Sequence, residues 1–211
     1  MLIELPPLHR FGLADINASY NDLSKYQDEQ FQFVAALPNN IQESLTVRLH
    51  GEWTKHCWSD KARWNDRYPL IDIEPGSAQL ETLIANSRLV IHSYNSTGIL
   101  ETLALNIPTM CFWYDGLDHI SEKAKPYYEL LRDAGILHDN PNQAAESIAL
   151  HWDNVDAWWA SERVQHARER FCNEYARTEK HPVKKLKQLL SEAALSQDDQ
   201  ANIRTSKSSS N

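Results

Sequence analysis

Short apolar runs alternate with longer amphipathic segments along the middle of the chain. In one such segment, SAQLETLIANS, the spacing of Leu80, Leu83 and Ile84 places all three on one face of a predicted helix. Strand followed by helix, repeated, is typical of right-handed βαβ units and so predicts an α/β fold, a Rossmann-like parallel sheet with helices on both faces. The predicted strands are residues 45–50, 70–74, 88–94, 109–114 and, more weakly, 135–139.

The pattern changes at both ends of this array. Residues 1–40 contain one predicted helix, DLSKYQDEQFQFVAAL, and are interpreted as an N-terminal extension of the Rossmann-like domain, which we assign to residues 41–150. After Pro141 only helical spacing remains, so residues 151–195 are predicted to be C-terminal helices packed on the domain. Residues 196–211 are polar with almost nothing to bury, which predicts a disordered tail.

Charge and hydropathy exclude two classes of protein. The net charge of -8 argues against a nucleic-acid-binding protein, because contacts to phosphate backbones rely on clustered Lys and Arg. No apolar run approaches the roughly 20 residues that span a bilayer, and MLIELPPLHR lacks the basic start and long apolar stretch of a signal peptide. We therefore expect a cytoplasmic protein.

Cysteine and histidine spacing indicates neither disulfides nor a metal site. Cys57, Cys111 and Cys172 are far apart, form no CxxC pair and are interpreted as reduced thiols. No His, Cys and Asp cluster has convincing metal-ligand spacing, and no Walker A, GxGxxG or GxSxG motif is present. We expect no metal ion and no resident cofactor.

A cluster of small polar residues separates two of the predicted strands. In HSYNSTGILETLALNIPT, residues Asn95, Ser96, Thr97 and Gly98 follow a strand at its carboxyl end, the edge where open α/β sheets bind ligands. Asn, Ser and Thr suit a helix amino terminus, Gly permits close approach to the backbone, and free N–H groups with the helix dipole attract phosphate. Glu101 lies at i+4 from Thr97, where its carboxylate can accept hydrogen bonds from ribose hydroxyls.

The alternative interpretation of this stretch is structural. Ser96 or Thr97 simply caps a helix, and Glu101 is a solvated acid in its first turn.

Three segments together resemble a known family. They are SRLVIHSYNSTGILETLALNIPTMCFW, KAKPYYELLRDAGILHDNPNQAAESI and DAWWASERVQHARERFCNEYA, and the resemblance runs from about position 30 to 178. They are similar to transferases of bacterial surface-polysaccharide and O-antigen biosynthesis, which look like GT-B glycosyltransferases.

The resemblance implies that residues 41–150 correspond to the C-terminal, nucleotide-sugar-binding domain of the two Rossmann-like halves of a GT-B enzyme. It implies a nucleotide-sugar donor, a glycan or lipid-linked acceptor, and no metal ion. The other half normally supplies the acceptor site and often the catalytic base, and no such half precedes residue 41, so we expect an N-terminal half or a partner chain to contribute them.

Other side chains at the predicted ligand edge are weaker candidates. Arg48 lies in the apolar strand LTVRLH, where a charge is costly unless it grips a ligand phosphate or pairs with an acid such as Asp72. A lone histidine at the end of a strand, such as His92, more often has a structural than a catalytic role. Four residues that follow strands are possible sugar or acceptor contacts, although YDGLD is also ordinary turn chemistry: His50, Tyr94, Asp115 and Asp118.

The basic run HPVKKLK, residues 181–187, has two interpretations. It can make peripheral contact with the anionic inner face of the membrane, or it can be a solvated helix face.

The leading hypothesis is a nucleotide-sugar-dependent glycosyltransferase. The alternatives are a non-catalytic nucleotide- or glycan-binding module that acts as a subunit or regulator, and a protein-interaction scaffold.

Overall fold

The computed structural model describes residues 1–3, 20–49, 60–113, 116–118 and 120–192. The chain divides into two compact units, Met1–Ala176 and Arg177–Asn211.

The described residues of the first unit form a six-stranded parallel sheet. Its strands are β1 (Leu2–Ile3), β2 (Thr46–Arg48), β3 (Asp72–Glu74), β4 (Val90–His92), β5 (Thr109–Phe112) and β6 (Leu137–His138). They are arranged in the order β3-β2-β1-β4-β5-β6, and every neighbouring pair is parallel. This is the strand order of doubly wound Rossmann folds, in which the order reverses between β1 and β4. The predicted α/β fold class is confirmed, as are the five predicted strands.

Helices connect these strands and continue beyond the last one. Aromatic side chains join two of them, because the rings of Tyr128 and Phe171 meet edge to face, with centroids 5.1 Å apart. The helices are α1 (Tyr20–Ala36), α2 (Asn39–Gln42), α3 (Asp60–Arg67), α4 (Leu80–Ala85), α5 (Thr97–Ala104), α6 (Lys125–Asp133), α7 (Pro141–His151), α8 (Val155–Trp159) and α9 (Glu162–Tyr175). A short 3-10 turn, Trp152–Asn154, links α7 to α8.

The sheet is covered on both faces, as the nearly continuous apolar strands require. Leu2 and Ile91 belong to the large core, whereas their neighbours Ile3 and Val90 belong to a second cluster that α4 covers. Successive residues of a strand point to opposite faces, so this division assigns one cluster to each side of the sheet.

The interpretation of residues 1–40 as an extension outside the domain differs from what the structure shows. Leu2 pairs with Val47 on one side and with Ile91 on the other, so β1 is a central strand of the sheet. A strand of two residues has no hydrophobic period, and for this reason the sequence pattern did not reveal it. Helix α1 also contributes to the core, because its Phe33 is fully buried and stacks on Phe112 with ring centroids 4.9 Å apart.

Two cysteines belong to the same core. Cys111 and Cys172 are buried free thiols, and burial raises the pKa of both. Cys57 lies outside the described residues.

The second unit contains one described helix, α10, at residues 182–192. The predicted helices of residues 151–195 therefore belong to two units, with α8 and α9 in the first. Within the described ranges, none of the helices has the length and apolarity that spanning a bilayer requires. The predicted tail, residues 196–211, lies outside the described residues.

Shortening Leu2 is expected to destabilise the first unit strongly. This side chain is fully buried in the large core on one face of the sheet, so Leu2→Ala removes apolar contacts and leaves a cavity, with an expected loss of about 2–5 kcal/mol in the free energy of unfolding. Urea unfolding followed by circular dichroism measures the change. Leu150→Ala, at a position where the side chain is 78% exposed on α7, is the matched control and should change stability little. Equal, small effects of both substitutions would contradict a central role for β1.

Candidate functional site

Helix α5 begins directly after β4, at the carboxyl edge of the sheet. Ser96 is the N-cap residue in extended conformation, and its carbonyl accepts a hydrogen bond from the Ile99 N–H at 3.2 Å. Its hydroxyl makes no capping hydrogen bond within the described part of the chain. The first N–H groups of a helix have no intrahelical acceptor, and here they begin at Thr97, which is exposed. Among the described residues, no Ser96 side-chain cap covers these donors, and they lie at the edge where the sequence predicts a phosphate site.

A hydrogen bond from another helix fixes the loop that leads into α5. The Tyr128 hydroxyl, on α6, donates to Asn95 Oδ1 at 3.2 Å. Burial raises the pKa of Tyr128, so the phenol stays a neutral donor. Asn95 therefore has a positioning contact within the protein.

Close packing explains the glycine in this loop. A Cβ atom at Gly98 would lie 3.1 Å from Cε1 of His92, closer than ordinary van der Waals contact. In the sequence pattern, a glycine at this position indicates the approach of a ligand to the backbone. The structure adds a second reason, because without a side chain at this position α5 can rest against the histidine ring.

His92 supports α5 as a neutral side chain. The Thr102 hydroxyl donates to the Ile99 carbonyl at 3.2 Å, so it accepts from His92 Nε2, which lies 3.1 Å away. This assigns the proton to Nε2, and the buried Nδ1 finds no hydrogen-bond partner among the described residues. Burial lowers the pKa of His92 to about 3. These contacts fit the structural interpretation of this residue.

A chain of hydrogen bonds crosses the sheet at the point where the strand order reverses. Ser93 Oγ donates to the Ile3 carbonyl at 3.0 Å and lies 2.9 Å from the Tyr26 hydroxyl of α1. Because serine has one hydroxyl proton, Tyr26 is the donor in the second bond. These bonds tie β4, β1 and α1 together directly beside the start of α5.

Arg48 ends β2 at the same edge and pairs with an acid on β3. Its Nε lies 3.6 Å from Glu74 Oε2, and its side chain is 15% exposed. At that distance the contact is an ion pair without a hydrogen bond, and the buried Nε finds no hydrogen-bond acceptor in the described ranges. The partner is Glu74 rather than Asp72 because the strand register places Glu74 opposite Arg48 and Asp72 opposite Thr46.

The Glu74 carboxylate is occupied by other donors. It accepts hydrogen bonds from the N–H groups of Gly76, Ser77 and Ala78 at 2.8–2.9 Å and from the Ser77 hydroxyl at 3.1 Å. Burial acts to raise the pKa of Glu74, but these hydrogen bonds outweigh it and the net pKa is lowered. An ionised Glu74 therefore holds Arg48 electrostatically without saturating its guanidinium.

Glu101 lies on the flank of α5 that faces α4. It is exposed and lines a mainly apolar groove of about 560 Å³ together with Leu80, Ile84 and Pro108. The groove extends to the residues that precede β4 and β5, at the amino edge of the sheet, and its described lining does not include residues 95–98. Glu101 thus lies one turn after Thr97, as expected. Its side chain, however, lines the groove beside α4 and not the surface around residues 95–98.

The remaining predicted contacts are dispersed. Tyr94 is partly buried and packs in the cluster of Met1, Ile3 and Val90. Asp118 is exposed in a turn. The other two candidates, His50 and Asp115, lie outside the described residues.

A buried acid that the sequence analysis missed lies where α3 begins. Asp60 is 3% exposed, and its Oδ1 accepts from Arg63 Nη2 at 2.9 Å and from Gln27 Nε2 at 3.4 Å. Its Oδ2 and the amide of the buried Gln30 lack hydrogen-bond partners among the described residues. Burial raises the pKa of Asp60, opposed by the Arg63 charge. In sequence, an Asp at the start of a helix looks like an ordinary capping residue, so no signal distinguished it.

A cavity of about 250 Å³ lies at the opposite, amino edge of the sheet. Its lining includes Ser44, Arg88 and Trp152. The Arg88 guanidinium donates to the Trp152 carbonyl at 3.1 Å and lies over the Trp152 ring, 5.0 Å from its centroid. These contacts hold Arg88 within the protein.

Within the described ranges, no three His, Cys, Asp or Glu side chains lie close enough together to hold a metal ion.

Comparison with known proteins identifies one family. A sequence model of the LIC12162 family transferases matches residues 2–190, a range that includes β1, most of the first unit and the beginning of the second. No curated protein and no solved structure is significantly similar to the chain.

The neutral state of His92 predicts how stability depends on pH. Its pKa is about 3 in the folded protein and 6.5 for a free side chain, so between these values the unfolded chain binds a proton that the folded chain excludes. The free energy of unfolding should fall as the pH drops through this window, by up to about 1.4 kcal/mol per pH unit from this residue. His92→Gln keeps a donor for Thr102 and removes that contribution, so its stability profile should be flatter in acid.

Urea unfolding of wild-type protein and variant at successively lower pH measures both profiles. His166→Gln, at an exposed position on α9, is the control and should retain the wild-type slope. If His92→Gln and wild type lost stability in parallel, His92 would not be a buried neutral side chain.

Proposed function

The chain belongs to the LIC12162 family of transferases, and we propose that it transfers a sugar from a nucleotide-activated donor in the assembly of bacterial surface polysaccharide. The donor's phosphate groups bind at the carboxyl edge of the sheet, between Arg48 and the start of α5.

The strand register carries this proposal. Ile3 of β1 pairs with Arg48 on one side and with His92 on the other. Adjacent strands lie about 4.8 Å apart, so the Cα atoms of Arg48 and His92 are separated by roughly 10 Å across the point where the strand order reverses. Ligands of doubly wound sheets bind in the crevice at that point. A guanidinium and a helix amino terminus therefore flank the position where this fold type holds a nucleotide.

The chemistry of these two groups suits a departing nucleotide. In glycosyl transfer, the acceptor oxygen bonds to the sugar's anomeric carbon as the bond from that carbon to the phosphate oxygen breaks, and negative charge grows on the phosphate. The proton of the acceptor hydroxyl passes to a general base, which we assign to the second half or the partner chain. Arg48 and the free N–H groups at Thr97 and Gly98 are oriented donors that stabilise this charge. Glu74 keeps the guanidinium at the edge, and Tyr128 fixes the loop through Asn95.

We assign the donor's ribose and the acceptor as follows. Glu101 binds the ribose, which requires the nucleotide to extend along α5 toward α4. The acceptor is a glycan or a lipid-linked glycan, bound with the help of a second Rossmann-like half or a partner chain, at the inner face of the membrane. Neither donor nor acceptor chemistry in this proposal requires a metal ion.

A non-catalytic nucleotide- or glycan-binding module is the second candidate. His92 is buried with a pKa of about 3, and Glu74 is held by four donors, so neither suits the role of general base. Sugar transfer, or slow hydrolysis of a nucleotide sugar, distinguishes the enzyme from the module, which turns over no donor.

Replacing Arg48 is expected to weaken nucleotide binding without unfolding the protein. Arg48→Gln removes a charged donor to phosphate, a loss of about 1.5–3 kcal/mol, or roughly tenfold to a hundredfold in affinity. Calorimetry with a panel of nucleoside mono- and diphosphates measures the affinity, and thermal unfolding checks the fold.

Arg163→Gln, at an exposed position on α9, is the matched control and should bind nucleotide as wild type does. A wild-type protein that binds no nucleotide of the panel would refute the proposed function. An Arg48→Gln variant with undiminished affinity would remove Arg48 from the site.

A further inference from the structure

Helix α10 exposes a row of large apolar side chains. Val183 is 66% exposed, Leu186 58%, Leu189 48% and Leu190 61%. Leaving several leucines in water on one short helix is unfavourable, and contiguous exposed apolar surface of this kind marks an interaction site.

Lysines border this apolar row on both sides. At about 100° per residue, the four apolar side chains cover an arc of roughly 120°, from Leu189 to Val183. Lys185 lies about 40° beyond Leu189, and Lys187 lies about 40° beyond Val183. Long lysine side chains at these positions can extend their ammonium groups outward while their methylene stems follow the apolar face.

The helix is positively charged, whereas the whole chain is negatively charged. Residues 182–192 contain three lysines, Lys184, Lys185 and Lys187, and one acid, Glu192, whereas the chain carries a net charge of -8. Lys180, Lys184 and Lys187 also line one shallow hollow together with Val183. Basic side chains concentrated beside the apolar arc fit an anionic surface.

We propose that α10 is an interfacial helix that binds an anionic lipid bilayer, with its four apolar side chains inserted among the acyl chains and its lysines against phosphate headgroups. An amphipathic helix with lysines on its polar face and leucines on the other lies in the plane of a membrane in this way. This binding is independent of the nucleotide site and goes beyond the proposed function.

A protein partner fits the same face less well. Val183, Leu186 and Leu190 have the spacing of a coiled-coil seam, but such a seam needs three or four heptads, and in the sequence the large apolar residues at this spacing span only about one heptad. Leu189 widens the apolar face beyond that seam. A broad face bordered by positive charge on both sides matches a bilayer better than a second helix.

Flotation of the full chain with vesicles tests the proposal. Wild-type protein should bind vesicles that contain phosphatidylglycerol, bind phosphatidylcholine vesicles more weakly, and be released as salt is raised. Leu186→Gln combined with Leu190→Gln should abolish binding. Lys185→Gln combined with Lys187→Gln should weaken it about fivefold for each lysine removed.

Matched controls separate these effects from general changes in hydrophobicity and charge. Leu105→Gln with Leu150→Gln replaces two exposed leucines elsewhere, and Lys61→Gln with Lys123→Gln removes two exposed lysines elsewhere. Both control proteins should float as wild type does. Wild-type protein that binds neither kind of vesicle would overturn the proposal, as would binding that survives the two leucine substitutions in α10. Self-association by light scattering that these substitutions abolish would assign the face to a second copy instead.

Discussion

The two-residue strand β1 holds the halves of the sheet together. In the described sheet, β2 and β3 lie on one side of it and β4, β5 and β6 on the other, and the two sets meet only through Leu2 and Ile3. Burial of Leu2 on one face and Ile3 on the other anchors the strand between two cores. The hydrogen bond from Ser93 to the Ile3 carbonyl extends this link beyond the end of β4.

The proposed phosphate site depends on that pairing. Arg48 and His92 are both opposite Ile3, so a slip of β1 by one residue would exchange its buried faces and displace the guanidinium from α5. His92 contributes by being neutral and buried, because it forms the surface on which Gly98 rests and α5 begins. The same histidine that stabilises the fold thereby sets the position of the free N–H groups.

The strands β2 to β5 could be predicted from the sequence because their signal is local. The strands β2 to β5 are short, apolar and separated by amphipathic helices, so their periodicity is visible without tertiary information. The strand β1 has no period to detect. Arg48 was conspicuous as a charge in an apolar strand, but its pairing with Glu74 follows from a strand register that the sequence does not encode locally. Likewise, the i+4 spacing of Glu101 was evident, whereas the groove it lines depends on where α4 packs.

The most direct test of phosphate binding at the start of α5 is an amide chemical-shift titration of the isotopically labelled protein with a nucleoside diphosphate. If the phosphate groups bind at the start of α5, the largest shifts occur at the N–H groups of Thr97 and Gly98, with smaller shifts around Arg48. Shifts concentrated instead at the amino edge, around Ser44 and Arg88, with Thr97 and Gly98 unchanged, would contradict it.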